Sequence, residues 1–405
     1  MIPRHLVKRN EVPYVFSDTY QRFPVARQAL VSVDLEDKNN PIYNSFMKKM
    51  MKNLSDKISK EKDGYSLEDN AFDMAANSLN LLLAQYGKPN QSCLKWKSSL
   101  LPDDAKAIKT TKNRKELTEM IKEGSIYFGA DLVGITSLNE NWIYEKDLVK
   151  PFVLKEVAES FESEKEFVIS KEIKNAIVLA FAMNAELKDE SPKLKASAAS
   201  SFGYSRAAIT VIALAEYIRN LGYQAIPCVN DTALSIPLAI DAGLGELGRN
   251  GILVTPEFGP SVRLAKILTS MPLDKDYPID FGVEAFCNNC LLCAEHCPSQ
   301  SISYNDKTFD QTCYNNNGGV KKWYINGETC LKFWQENGSS CSNCITVCPF
   351  TKGFEATQCV ECIKCETRNG CELQVNTHHR EKYGYLEIKK WGYQPRVIYP
   401  ARKGL

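Results

Sequence analysis

The chain has almost no surplus charge of either sign: 50 Lys and Arg face 49 Asp and Glu, leaving a formal net charge of +1. That balance excludes a strong field aimed at nucleic acid or an anionic membrane. Long apolar runs are lacking too. Stretches such as AIVLAFAM at 176–183 stop well short of the ~18 residues that span a bilayer. Histidine is scarce, with four in 405 residues, so a three-histidine metal centre in the core is excluded. No G-x-G-x-x-G follows a strand and no phosphate loop is present. GLGELG at 243–248 follows the helix-like AIDA and is not read as a dinucleotide site. The N-terminus, MIPRHLVKRNEVPYVF, has no apolar h-region, and Lys8-Arg9 is not a twin-arginine pair, so no export signal is read.

What is present is cysteine. Of 15 cysteines, 13 fall between 287 and 371. A secreted disulfide scaffold spreads its cysteines through a small chain, whereas here they crowd the last third of a large one, which points to metal ligation. Cys287, Cys290, Cys293 and Cys297-Pro298 form C-x₂-C-x₂-C-x₃-C-P, the run that holds [4Fe–4S] clusters in bacterial ferredoxins. Three cysteines at this spacing curl one loop around a cuboidal cluster, and the fourth points to a second cluster. Zinc sites space their cysteine pairs farther apart. A second run follows in altered form, Cys330-x₁₀-Cys341-x₂-Cys344-x₃-Cys348-Pro349. Applying the cross-over rule, one cluster takes Cys287, Cys290, Cys293 and Cys348, and the other takes Cys297, Cys330, Cys341 and Cys344. Two clusters ~10–12 Å apart form a one-electron wire. A third set, Cys359, Cys362, Cys365 and Cys371, lacks the closing proline; zinc, a further cluster and free thiols all stand open for it.

Four regions are expected: 1–115, an N-terminal helical region covering the core; 116–284, the catalytic core; 285–352, a ferredoxin-like domain; and 353–405, a Cys-rich extension. RKELTEMIKEGSIYFGADLVGITSL from Arg114 reads as helix, turn and buried strand. The charge-dense 154–175 reads as a solvated helical face. Ala176–Met183 is a buried strand, SRAAITVIALAEYIRNLGY (205–223) an amphipathic helix closed by Asn-Leu-Gly, and VRLAKILT a short strand. The alternation implies an α/β core.

From Ser201 to Ser301 the chain resembles the corrinoid-dependent reductive dehalogenases. The residues that carry the likeness are AEYIRNLGYQAIP, SIPLAIDAGLGELGRNGILVTPEFGPSVRLAKILTSMPLDKDYPIDFG, FCNNCLLCAEHCPSQSIS and the displaced CLKFWQENGSSCSNCITVCPF. The resemblance is dense over 120–352 and weak outside it. It implies a nitroreductase-like α/β (α+β) core enclosing a base-off cobamide, cobalamin or a nor-type corrinoid, fed by two [4Fe–4S] clusters. The D-x-H-x-x-G signature that places a histidine beneath cobalt is missing, as the family's bare lower face implies.

By the same resemblance, Tyr204, Asn230 and Arg263 match the catalytic tyrosine, asparagine and arginine of the tetrachloroethene-reducing members. Replacing C–X by C–H consumes two electrons and one proton. Tyr204 is the expected proton donor, Arg263 the stabiliser of its phenolate, and Asn230 a neutral donor to the halogen. Leu234, Ser235, Gly243, Leu244, Gly245 and Thr255 are the expected corrinoid contacts, since glycine lets a chain approach a flat ring. The expected partners are a small organohalide, a low-potential electron donor, a small membrane anchor protein and a second copy of the chain as homodimer, with no nucleic acid. A mature exported form on the outer face of the cytoplasmic membrane is the expected location, a cytoplasmic one the alternative. The rival readings are an epoxyqueuosine-reductase-like enzyme, opposed by the neutral charge and the Tyr/Asn/Arg trio, and a non-catalytic iron–sulfur carrier, which does not need 285 residues ahead of its clusters.

Overall fold

A computed structural model describes residues 7–32, 44–84, 96 and 110–352. Its central sheet has four strands: β1 (Leu132–Ser137), β2 (Asn175–Ala182), β3 (Ala225–Cys228) and β4 (Val262–Thr269). They lie in the order β1-β2-β4-β3, and every neighbouring pair is antiparallel. The alternation of helices and strands therefore builds a mixed α/β core without parallel crossover units. β2 reads as an uninterrupted apolar run because both of its faces are covered. Ala176, Val178 and Ala180 enter one apolar cluster, and Ile177, Leu179 and Phe181 the other.

Helices α3 (Arg114–Tyr127) and α4 (Leu194–Asn220) cover the second face. α3 starts at a capping box in which the Asn113 side chain accepts from the Glu116 amide and the Glu116 carboxylate accepts from the Asn113 amide. Along α4, Ala207, Val211, Leu214, Ala215 and Ile218 recur at helical spacing and pack on the sheet. The helix begins at Leu194, eleven residues before the expected start, because Ala196, Ala198 and Ala199 are also buried. α5 (Ser235–Asp241) lies on the first face, beside Trp142, Phe152 and Phe167. Its close approach depends on Gly134 in β1, where an added Cβ would stand 2.2 Å from the Ala242 carbonyl oxygen.

Residues 154–175 depart from the helical expectation. Phe152–Lys155, Phe161–Glu162 and Phe167–Ser170 form a three-stranded sheet. Phe167–Ser170 is wholly buried, so the FVIS run outweighs the charges around it, which lie at strand ends and pair locally, as Lys150 does with Glu162 at 2.7 Å.

Beyond the core, α6 (Val283–Asn289), α7 (Gly327–Asn337) and the short helices Leu292–Glu295 and Asn343–Thr346 carry Cys287, Cys330, Cys293 and Cys344, and the other four cysteines of the two runs lie in the turns beside them. Hydrogen bonds join this unit to the core: Ser191 Oγ to Asn343 Oδ1 (2.7 Å), Thr346 Oγ1 to the Lys188 carbonyl (3.1 Å) and Asn250 Nδ2 to the Cys344 carbonyl (3.3 Å). In the N-terminal region, α1 (Asn44–Ser59) packs on α7, with Asn53 Nδ2 donating to the Gln335 carbonyl at 2.7 Å. α2 (Leu67–Ala84) lies along α4, where Ser201 Oγ donates to Asp73 and Ser205 Oγ to the Ala76 carbonyl. No helix among the described residues is long and apolar enough to cross a membrane.

Candidate active site and cluster sites

Strand alternation sends Arg263 of β4 toward α4 and Lys266 to the opposite face. α4 receives Arg263 at Gly203, where an added Cβ would be 2.9 Å from Arg263 Cγ. The guanidinium reaches past this gap to donate to Ser200 Oγ, and its Cζ lies 5.5 Å from the centre of the Tyr204 ring. Tyr204 and Arg263 are thus brought together, and both are half-buried. Arg263 Nε and, two residues earlier, Ser261 Oγ are buried without a hydrogen-bond partner among the described residues. Polar atoms stranded in this way commonly await a group outside the polypeptide.

Asn230 is exposed. β3 pairs Cys228 with Lys266, so the chain leaves the sheet at the end where β4 carries Arg263. Beneath Asn230 lies a buried polar group that composition alone does not reveal. Lys266, fully buried, donates to the Val229 carbonyl at 2.8 Å and to Ser235 Oγ at 3.1 Å. Asp231 accepts from Thr232 Oγ1 at 2.9 Å, and burial pushes its carboxyl up while Lys266 opposes the shift. Thr232 has a φ of 63°, a strained left-handed turn for a β-branched residue. Tyr144, buried beside this turn, has its phenol raised by burial and then by the charges of Asp231 and Tyr204. It therefore neighbours both the Asn230 loop and the Tyr204 side. A lysine inside VRLAKILT was the one signal in the sequence for this group.

The six expected corrinoid contacts are all engaged within the chain. A Cβ on Gly243 (φ 73°) would meet the Tyr277 carbonyl oxygen at 2.3 Å, and one on Gly245 the Val254 carbonyl oxygen at 2.0 Å. Glycine at both positions is explained by close backbone packing. The Leu244 amide donates to the Ala239 carbonyl and the Leu234 amide to the Trp142 carbonyl. Ser235 Oγ donates to the Val229 carbonyl besides accepting from Lys266. Thr255, fully buried, closes a turn through Oγ1 on the Gly259 carbonyl. Ser261 Oγ and Arg263 Nε, by contrast, leave polar capacity unspent among the described residues, beside the Tyr204 ring that Arg263 approaches.

The cysteines fall into two groups. A small pocket is lined by Cys287, Cys290, Cys293 and Cys348, with Arg249 and Phe350 among its other walls. Burial raises all four thiols, and for three of them the next cause is another cysteine: Cys290 feels Cys287, Cys293 feels Cys287, Cys290 and Cys348, and Cys348 feels Cys287 and Cys290. For Cys287 the backbone amide and guanidinium of Arg249 oppose the rise, which ends at about 11. In the second group, Cys344 is raised by burial and then by Cys341, Cys330 and Cys297, and Cys330 by burial and then by Cys341 and Cys297. Cys293 and Cys348 also feel Cys344, so the groups adjoin. Among the described residues no three His, Cys, Asp or Glu converge as ligands of a single metal ion. Four cysteines at each place are instead the ligand number of a cuboidal cluster, whose iron would offset the mutual repulsion of four thiolates. Cys359, Cys362, Cys365 and Cys371 lie outside the described residues.

Comparison with known proteins matches residues 131–273 to the reductive dehalogenase subunit family and 286–352 to the 4Fe-4S dicluster domain. The tetrachloroethene reductive dehalogenase of Sulfurospirillum multivorans is 41% identical over 254 residues, covering 59% of this chain and 51% of that protein. That of Desulfitobacterium hafniense is 35% identical over 269 residues, covering 59% and 49%. The chain thus spans about half the length of the curated relatives it matches. Among solved structures, the catabolic reductive dehalogenase NpRdhA in complex with 3-bromo-4-hydroxybenzoic acid superposes with a TM-score of 0.63 at 22% identity, covering 94% of this chain and 49% of that one, which shows a shared fold. Tyr204, Asn230 and Arg263 lie inside the first of these matched segments and the two cysteine tetrads inside the second, and over them the chain is similar to reductive dehalogenases.

Proposed function

We propose that the protein catalyses reductive dehalogenation of a small organohalide, R–X + 2 e⁻ + H⁺ → R–H + X⁻, with a base-off corrinoid at the Tyr204–Arg263 face and electrons arriving through two [4Fe–4S] clusters. The observation that carries this reading is the Arg263 guanidinium lying 5.5 Å from the Tyr204 ring centre, in a chain similar to tetrachloroethene reductive dehalogenases. The corrinoid, when bound, supplies a low-potential metal that delivers electrons to the carbon–halogen bond. The chain's residues supply the proton and the environment. A tyrosine is a weak acid, with a pKa of ~10 in water. When Tyr204 gives its proton to the nascent carbon centre, the Arg263 guanidinium stands beside the ring that is left behind. Asn230 offers an N–H to the halogen without adding a titrating group.

A low-potential donor on the cluster side, a small membrane anchor protein and an outer-face location belong to the same proposal. The test is halide release from chlorinated ethenes by the anaerobically prepared, corrinoid- and iron-loaded protein with reduced methyl viologen. Tyr204→Phe is expected to lower turnover by about 10²–10⁴ with corrinoid and iron content unchanged. Full turnover in that variant removes the proton-donor role, and no halide from the loaded wild type removes the dehalogenase reading.

A further inference from the structure

Arg249 lies in the turn after GLGELG and is 0% exposed. Its Nε donates to the Cys287 carbonyl at 2.8 Å, one terminal nitrogen to the Ser303 and Asn305 carbonyls, both at 2.9 Å, and the other to the Asn288 carbonyl at 3.4 Å. The guanidinium stacks 4.8 Å from the Trp323 ring centre. Trp323 packs with Cys287, Cys290 and Cys348, and Arg249 is itself a wall of the cavity that those cysteines line with Cys293. A second cation, Lys307, lies 4.7 Å from the same ring and is paired with Glu284 at 2.7 Å. Backbone carbonyls and a ring are thus among the groups that hold the guanidinium, at the wall of one cysteine tetrad's pocket.

A fully buried cation is costly, and the cost persists only where something of opposite charge or strong dipole offsets it. Carbonyl dipoles do part of this. A [4Fe–4S] cluster with four thiolates does more, since it carries net negative charge that grows by one electron on reduction. In a low-dielectric interior, a fixed positive charge favours the more negative, reduced state. We propose that Arg249 sets the reduction potential of the cluster held by Cys287, Cys290, Cys293 and Cys348, raising it relative to the cluster held by Cys297, Cys330, Cys341 and Cys344. The inference rests on the two-cluster reading alone, and a negative dehalogenation assay leaves it standing.

The test is an EPR-monitored redox titration of the iron-loaded protein, with iron content measured alongside. In Arg249→Gln, one of the two one-electron steps is expected to fall by at least tenfold in reduced-to-oxidised ratio, about 59 mV for a one-electron couple, while the other step stays in place. Lys307→Gln, which removes a charge already paired with Glu284, should move neither step as far. A full complement of iron with unmoved potentials in Arg249→Gln overturns the proposal. If that variant loses iron, Arg249→Lys decides, because it keeps the charge without the carbonyl-binding fork. Full iron with a potential within tenfold of wild type supports the charge role. A tenfold fall, or loss of iron here as well, makes Arg249 a structural staple and overturns it.

Discussion

At the scale of single residues, the candidate active site turns on a glycine with no chemistry of its own. Gly203 sits inside a long helix, where glycine is about 1 kcal/mol worse than alanine, and it is tolerated because Arg263 crosses the helix there. Gly203→Ala therefore gains helix propensity but sets a Cβ 2.9 Å from Arg263 Cγ, forcing the guanidinium away from Tyr204. The expected outcome is a melting temperature close to wild type with halide release at least tenfold lower. Unchanged turnover would show that the Arg263 position does not matter. The sequence made Tyr204 and Arg263 visible through their family context. It could not show the partnership with Gly203 and Ser200, because that depends on which face of β4 each residue takes and on how closely α4 approaches. Lys266 was legible as a charge in an apolar strand, but its partners, Val229 and Ser235, come from the chain that follows the neighbouring strand β3, 37 and 31 residues earlier in sequence.

At the scale of elements, period and burial were read well where apolar runs were long, as in β2 and β4, whose bounds differ from the expected runs by at most one residue. They were misread at 154–175, where short strands buried against Trp96, Phe152 and Phe167 carry too few residues for a period to emerge through the surrounding charge. The cysteine spacing is a stronger signal, because a cluster constrains its ligands locally. Its non-local part is the crossing: Cys293 and Cys297 are one helical turn apart, yet Cys293 feels Cys287, Cys290 and Cys348 most, while Cys297 acts on Cys330 and Cys344. Cys293→Ala and Cys348→Ala should abolish the same reduced-cluster EPR signal, and Cys297→Ala and Cys330→Ala the other, with iron falling from about eight to about four per chain in each. If Cys293→Ala and Cys297→Ala silence the same signal, the crossed ligand sets are wrong.

At the scale of the whole molecule, the N-terminal segment and the core are tied by a buried carboxylate. Asp241, at the end of α5, accepts from Tyr14 Oη at 2.9 and 3.0 Å and from Trp142 Nε1 at 3.0 Å. Tyr14 also packs edge-on against Trp142, with ring centres 4.9 Å apart. Burial raises the Asp241 carboxyl from 3.8 to about 6, against the lowering effect of those two hydrogen bonds. The folded chain therefore holds this proton more tightly than the unfolded chain does. The stability linked to it is complete below pH ~4 and is lost as pH rises through about 6, up to about 3 kcal/mol over the full window. Asp241→Asn keeps an acceptor for Tyr14 or Trp142 but cannot titrate, so it should lack this loss. Thermal unfolding of the iron-loaded protein from pH 5 to 7.5 checks it: the variant should gain on the wild type by a few degrees as pH rises. A constant difference across that range would mean that Asp241 titrates alike in both states, and that the N-terminal segment is held by its aromatic packing rather than by this carboxylate.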